Sequence, residues 1–162
     1  MEKYELNTYL AGPIDGADID NAKEWREWLT EQLAPMGIGT LNPFGQFGGD
    51  RLAEVRKDLH EWNVRGQVDN IREFVSKVVM PPDLDMVEKC DFVTLHIPKL
   101  TSEVCGSYGE ATLAFYLNIP VYIVTTRCLR PVTLPNWIIG CSDKIFSSWA
   151  DYLYFIGDKY IE

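Results

Sequence analysis

Two short apolar runs joined by a helix-forming segment constrain the fold of this 162-residue chain more than any other feature. The first run covers residues 91–97 and is stopped by Pro98, and the second covers residues 121–124 and follows Pro120. Between them, residues 111–117 are apolar at helical spacing. Buried strands connected through a helix lie parallel in one sheet, so this segment predicts an α/β fold.

An earlier segment repeats this order. Residues 4–11 predict a first strand that ends at Gly12-Pro13, and Asp18 or Asp20 is placed to cap the helix that follows. Residues 39–41 then predict a short second strand. We therefore expect a flavodoxin-like (Rossmann-like), doubly wound parallel sheet in a single domain, 1–162. A last strand at 144–146 and a closing helix at 149–156 complete the predicted elements.

Residues 44–82 form a predicted helical insertion after the second strand. Glycines loosen its start, and an apolar helical face follows at Ile71, Phe74, Val75 and Val78. An insertion of this length forms either a lid or substrate wall, or a solvated helical cover for one sheet face. Pro82 is expected to open another short helix that leads into the strand at 91–97.

Composition narrows the possible partners. The chain has 15 basic and 24 acidic residues, a formal charge of −9, which argues against nucleic-acid binding. It contains no apolar run long enough to span a membrane and does not begin with a signal-peptide pattern, so we expect no membrane partner and a cytoplasmic location. Four cysteines without a C-x-x-C pair and two distant histidines predict no metal site, and no cofactor is expected.

The segment Gly106-Ser107-Tyr108-Gly109-Glu110 is the strongest candidate for a functional site. It follows a predicted strand, and ligands of open α/β sheets bind beyond the carboxyl ends of the strands. Glu110 would supply a nucleophile or a base there. The same residues also match a capping box, Ser107-x-x-Glu110, and the segment alone favours neither interpretation. The two are compatible, because a helix N-terminus stabilises an ionised carboxylate.

Two further segments are predicted at the same edge of the sheet. They are Tyr9-Leu10-Ala11-Gly12-Pro13-Ile14 and the helix that begins near Asp83. Together with Asn42-Pro43 and the Gly106-Ser107-x-x-Glu110 segment, their order and spacing resemble the nucleoside 2-deoxyribosyltransferase family, which includes related deoxynucleoside 5′-monophosphate N-glycosidases. The resemblance covers nearly the whole chain and implies an enzyme that acts on a small nucleoside or nucleotide.

The resemblance also implies roles for individual residues. Glu110 would attack the anomeric carbon of a 2′-deoxyribosyl group, Tyr9 would hold that carboxylate and the sugar, and Asp83 would contact or protonate the departing base. Asn136 would enter the pocket of a neighbouring subunit, which implies a homo-oligomer. The remaining substrate-binding positions would be Gly12, Gly106 and Ser107.

The chemistry suits these residue types without the resemblance. Cleavage of an N-glycosidic bond needs an ionised carboxylate at the anomeric carbon and a second carboxyl with a higher pKa for the leaving base. Glu110 at a helix N-terminus would stay ionised, and Asp83 in a drier pocket would hold the proton. Structural interpretations remain open: Asp83 as a helix-start charge, Tyr9 as a core aromatic, and Gly12 and Gly106 as turn glycines.

Several outcomes stay open at this point. A transferase and a hydrolase differ only in whether a base or water accepts the sugar, and the arginines of the insertion either bind a 5′-phosphate or are merely solvated. The alternative function is a non-catalytic nucleotide-binding or interaction module on the same fold. Aromatic and apolar residues near the end of the chain predict a subunit interface. They are Trp137, Ile138, Trp149, Tyr152, Tyr154 and Phe155.

Overall fold

The computed structural model describes residues 4–14, 18–47, 49–98, 105–125 and 134–161. Its strands form one parallel sheet in the order β2-β1-β3-β4-β5. This order confirms the flavodoxin-like, doubly wound arrangement. The strands are β1 (Leu6–Ala11), β2 (Ile38–Leu41), β3 (Phe92–His96), β4 (Val121–Val124) and β5 (Lys144–Phe146). The helices are α1 (Ile19–Leu33), α2 (Gly49–Val64), α3 (Val68–Phe74), α4 (Met80–Lys89), α5 (Cys105–Tyr116), α6 (Asn136–Cys141) and α7 (Trp149–Tyr160).

Alternate residues of each strand feed two separate cores. Tyr9 and Ala11 of β1 join the core beneath α4, α5 and α6, whereas Leu10 joins the core beneath α1 and α7. β1 pairs with β2 on one side and with β3 on the other. The chain therefore reverses its direction of winding at the β1/β3 boundary, and a crevice for ligands forms there in sheets of this kind.

Helix α1 begins as the sequence predicts. Asp18 is its N-cap, and its carboxylate accepts hydrogen bonds from the backbone N–H groups of Asp20 and Asn21. Its buried face includes Arg26 beside the apolar residues, while Trp28 is exposed. This buried cation becomes important at the site.

The insertion is helical, but its last part was predicted wrongly. Pro82 does not open a new helix: α3 continues through a π-helical turn, Val75–Val79, directly into α4. Helices α2 and α3 pack on each other, with the rings of Trp62 and Phe74 5.9 Å apart. Neither core cluster found among the described residues includes a residue of α2 or α3. This packing favours a wall or lid over a cover for one sheet face.

The predicted aromatic patch near the chain end is mostly core, so this part of the prediction was wrong. Tyr152 and Ile138 are fully buried, and Trp149 stacks on Trp25 of α1. Phe155 packs against the rings of Tyr122 and Phe146. The sequence did not show how many aromatic side chains of α7 are needed to cover the β4–β5 side of the sheet. Of the six residues, Trp137 and Tyr154 remain exposed.

No helix in the described part of the chain combines the length and the apolar character needed to cross a membrane. Cys90 and Cys141 are buried, as expected of small apolar residues, whereas Cys105 at the start of α5 is exposed. Cys128 lies outside the described residues.

Candidate active site

Three of the residues singled out from the sequence meet at the β1/β3 boundary. The hydroxyl of Tyr9, on β1, donates a hydrogen bond of 2.9 Å to Oε1 of Glu110, on α5. Asp83, in the first turn of α4, is close enough for its negative charge to raise the pKa of Glu110. Burial, followed by the charges of Glu110 and Asp83, raises the pKa of Tyr9, so its hydroxyl remains a donor.

Glu110 does not form the predicted capping box. Helix α5 already includes Cys105, so Ser107 lies inside the helix rather than before it, and Glu110 lies in its second turn. Its carboxylate instead accepts the hydrogen bond from the hydroxyl of Tyr9, whose side chain is fully buried. The helix N-terminus therefore stabilises the negative charge less than the sequence suggested, since that effect fades beyond the first turn.

Asp83 is held by a residue that sequence analysis missed. Nε2 of Gln46 donates a short hydrogen bond to Oδ1 of Asp83. Gln46 ends the 3-10 turn Pro43–Gln46, whose N-cap is Asn42; the side chain of Asn42 accepts a hydrogen bond from the backbone N–H of Phe44. The Asn42-Pro43 pair thus shapes the turn that brings Gln46 to Asp83.

Both carboxyls are partly buried, and burial raises the pKa of each, although only that of Asp83 was expected to rise. Burial raises the pKa of Glu110 to about 7, helped by the charge of Asp83 and opposed by Tyr9 and Arg26. Burial raises the pKa of Asp83 to about 6, opposed by Gln46 and Arg26. The charge of Asp83 adds to burial at Glu110, whereas burial is the one cause that raises the pKa of Asp83. Both carboxyls therefore titrate near neutral pH, and the protonation of one affects that of the other.

Arg26 was also missed by sequence analysis. Its side chain is fully buried, and its nitrogen atoms donate to the backbone carbonyls of Leu10, Gly12 and Ala22. Its charge lowers the pKa of both carboxyls. One signal was present in the sequence: Arg26 lies four residues after the buried Ala22, within the apolar stripe of α1. Gln46 gave no such signal, because a glycine-rich segment has no periodicity to read.

The three remaining substrate-binding predictions lie in different surroundings. Gly12 is buried, and a Cβ added there would lie 2.9 Å from the indole of Trp25, so packing rather than a turn conformation requires this glycine. Gly106 is exposed, has no positive φ and would meet no atom within 4 Å, so the expected turn requirement is absent. Ser107 is buried in the first turn of α5.

Asn136 lies on α6, which packs against α5. It is exposed at the start of α6, and the neighbouring Trp137 donates a hydrogen bond to Oγ1 of Thr112 on α5. Thr112 follows Glu110 by two residues, which places the two side chains about 200° apart around the helix. Helix α6 therefore lies on the opposite side of α5 from the carboxyl pair.

No group of three potential metal ligands occurs within the described ranges. His96 is buried against the rings of Trp25 and Trp149, whose centroids each lie 4.9 Å from its own. Of the insertion's arginines, Arg65 and Arg72 are exposed and pair with acidic residues of their own helical segments.

The sequence matches no protein-family model and no curated protein. Solved structures share the fold. A 2-deoxyribosyltransferase from the psychrotolerant bacterium Bacillus psychrosaccharolyticus superposes with a TM-score of 0.59 at 19% identity, over 91% of this chain and 90% of that one. A conserved protein from Enterococcus faecalis V583 gives 0.62 at 14% identity, over 95% and 98%. A CMP N-glycosidase from Clostridium botulinum, BcmB, gives 0.52 at 16% identity, over 96% and 99%. At these identities the similarity establishes the fold.

Proposed function

We propose that this protein belongs to the nucleoside 2-deoxyribosyltransferase family and cleaves or transfers the N-glycosidic bond of a 2′-deoxynucleoside or its 5′-monophosphate. The observation that carries the proposal is the coupled carboxyl pair, Glu110 bonded to Tyr9 and Asp83 bonded to Gln46, at the β1/β3 boundary. The fold shared with a 2-deoxyribosyltransferase and a CMP N-glycosidase supports it.

In the first step an oxygen of ionised Glu110 bonds to the anomeric carbon as the bond to the base breaks. The electron pair of that bond leaves with the base, which takes a proton from Asp83. Near neutral pH the raised pKa values of the pair favour one shared proton. The hydrogen bond from Tyr9 favours the charge on Glu110. Because Gln46 donates to Oδ1 of Asp83, Oδ2 is left to carry the proton toward the base.

The second step decides between a transferase and a hydrolase. An incoming base, or a water molecule, attacks the anomeric carbon and displaces Glu110 as a carboxylate. The proton that the attacking base or water loses passes to Asp83. The step with a base exchanges the nucleobase, and the step with water releases free deoxyribose or its 5′-phosphate. Both return the pair to its starting protonation state.

The test is to incubate the protein with each deoxynucleoside and deoxynucleoside 5′-monophosphate, with and without an acceptor base. We expect free or exchanged base, a mass-shifted adduct on Glu110, and loss of both in Glu110→Gln. Glu88→Gln is the matched control, because Glu88 is an exposed glutamate of α4. Full turnover in a folded Glu110→Gln protein would refute the role of Glu110.

The alternative, a non-catalytic nucleotide-binding or interaction module, drew its support from the capping box. That support is weakened, because Ser107 lies inside α5 and Glu110 bonds to Tyr9. The same assay separates the two functions. Nucleotide binding without any base release would favour the module.

We further propose a homo-oligomer in which Asn136 completes the pocket of a neighbouring subunit. Asn136 is exposed and lies across α5 from its own carboxyl pair, and the nearby Phe115, Tyr116 and Trp137 are exposed aromatic residues. Mixing an inactive Glu110→Gln protein with an inactive Asn136→Ala protein under subunit exchange should restore part of the activity. A fully active monomer by light scattering at assay concentration would remove this role.

A further inference from the structure

Arg26 is a fully buried cation whose ionic partners are not in direct contact with it. Nε donates to the carbonyl oxygen of Leu10 at 3.3 Å, one terminal nitrogen to that of Ala22 at 2.6 Å, and the other to that of Gly12 at 2.9 Å. None of the ion pairs found among the described residues includes Arg26. A buried charge without compensation is costly, so nearby negative charge must offset it.

The guanidinium is fixed between two segments that carry site residues. Leu10, on β1, and Gly12, directly after β1, accept its hydrogen bonds, and both follow Tyr9 in the chain. Its other neighbours are aromatic, with the ring centroid of Trp25 at 4.4 Å and that of Phe44 at 5.1 Å. Phe44 belongs to the same 3-10 turn as Gln46, the partner of Asp83. One side chain therefore joins the Tyr9 strand to the Gln46 turn.

Four titratable groups of the described chain interact electrostatically with this cation. They are Tyr9 from β1, Asp83 from α4, His96 from β3 and Glu110 from α5. Burial and the charge of Arg26 together lower the pKa of His96 to about 3, so this histidine stays neutral. Burial lowers the pKa of Arg26 itself to about 10, which leaves it charged at neutral pH. With one proton on the carboxyl pair, the cluster of Arg26, Asp83 and Glu110 is electrically neutral.

We propose that Arg26 is the positioning residue of this site, whose fixed charge keeps one of the two partly buried carboxyls ionised and whose three hydrogen bonds fix the end of the Tyr9 strand to α1. The proposal rests on the proposed function for its link to catalysis. Its electrostatic part concerns the ionisation of Glu110 and Asp83 and does not depend on turnover. Arginine suits both tasks, because its planar fork stays charged and bonds in fixed directions.

The electrostatic part is tested by following the carboxyl carbons of Glu110 and Asp83 by 13C NMR during a pH titration. Glu110→Gln and Asp83→Asn assign the two signals. In Arg26→Met and Arg26→Gln we expect at least one midpoint to rise by about one to two pH units. Lys23→Met is the matched control, since it removes one positive charge from an exposed position of the same helix. Unchanged midpoints in a folded neutral variant, or an equal change in the control, would overturn the proposal.

Arg26→Lys tests the positioning part and remains informative if the neutral variants do not fold. Its ammonium keeps the charge but cannot reproduce three directed hydrogen bonds. We expect midpoints close to those of the wild type together with a kcat about ten- to a hundredfold lower. A wild-type kcat in this variant would refute the positioning role. If the wild type cleaves no nucleoside or nucleotide, the proposed function fails, while the titration still decides whether Arg26 controls the carboxyl pair.

Discussion

Replacing Glu110 with glutamine should make the stability of the folded protein less dependent on pH. Glu110 has an ordinary pKa of 4.5, and burial raises it to about 7 in the folded chain. The folded state therefore binds this proton more tightly than the unfolded state does. Below pH 4.5 Glu110 is protonated in both states, and its contribution to the free energy of unfolding is fully present. That contribution is lost as the pH rises through 7, because the carboxyl must then ionise in the folded protein.

The size of the effect follows from the two pKa values. A difference from 4.5 to about 7 corresponds to about 3 kcal/mol over the full titration. About 2 to 3 kcal/mol of this is lost between pH 5 and pH 8, because part of the unfolded-state titration lies below pH 5. Glutamine cannot ionise, so the variant lacks this loss. Relative to the wild type it should gain stability steadily as the pH increases.

Urea unfolding, followed by tryptophan fluorescence at several pH values, measures this difference by linear extrapolation. Glu88→Gln serves as the control, because it removes the same charge from an exposed position of α4. Parallel stability profiles for wild type and Glu110→Gln would refute the argument that burial dominates at Glu110. If the stability of the wild type instead increased relative to that of the variant as the pH rises, Tyr9 and Arg26 would stabilise the carboxylate more than burial opposes it.

Three further substitutions test the site. Asp83→Asn should slow natural deoxynucleosides far more than an analogue with an activated leaving group, and equal losses in kcat/KM on both would indicate a helix-start role instead. Tyr9→Phe removes the hydrogen bond to Glu110 and should lower kcat/KM about tenfold or more near pH 7. The rising limb of the pH profile should also move to higher pH. The exposed Tyr154→Phe is the control, and an unchanged profile in Tyr9→Phe would contradict the role of Tyr9. Gly12→Ala should cost about 1 to 3 kcal/mol in urea unfolding, since its methyl would lie 2.9 Å from an indole carbon of α1. Unchanged stability with weakened substrate binding would assign Gly12 to the ligand.

The sheet could be predicted because each of its central strands is recognisable from its own residues. Residues 92–96 and 121–124 are buried on both faces and read as continuous apolar runs, and the proline before or after each run marks a limit. A parallel sheet brings the carboxyl ends of its strands to one edge, so the proximity of Tyr9 and Glu110 followed from the predicted topology. Their hydrogen bond of 2.9 Å agrees with that expectation.

The conformation of the Ser107-x-x-Glu110 segment could not be predicted, because it depends on where α5 begins. Ser107-x-x-Glu110 has the pattern of a capping box, yet α5 includes Cys105, and this earlier start turns Glu110 inward. Arg26 was missed for a related reason. A charged residue on an amphipathic helix is normally solvated, and the position of Arg26 in the apolar stripe did not show that its donors bond to the carbonyls of Leu10, Gly12 and Ala22.

The helix break expected at Pro82 was wrong for a reason that also explains the position of Asp83. Proline lacks an N–H group, and its ring clashes with the carbonyl four residues earlier in a regular α-helix. The π turn Val75–Val79 lies immediately before the Pro81-Pro82 pair and changes the hydrogen-bond register there, with the N–H of Met80 donating to Val75. The chain thereby stays helical through both prolines. Asp83 consequently lies on the same continuous helical segment as α3 of the insertion. A displacement of α3 along its axis would therefore move Asp83, the proposed acid.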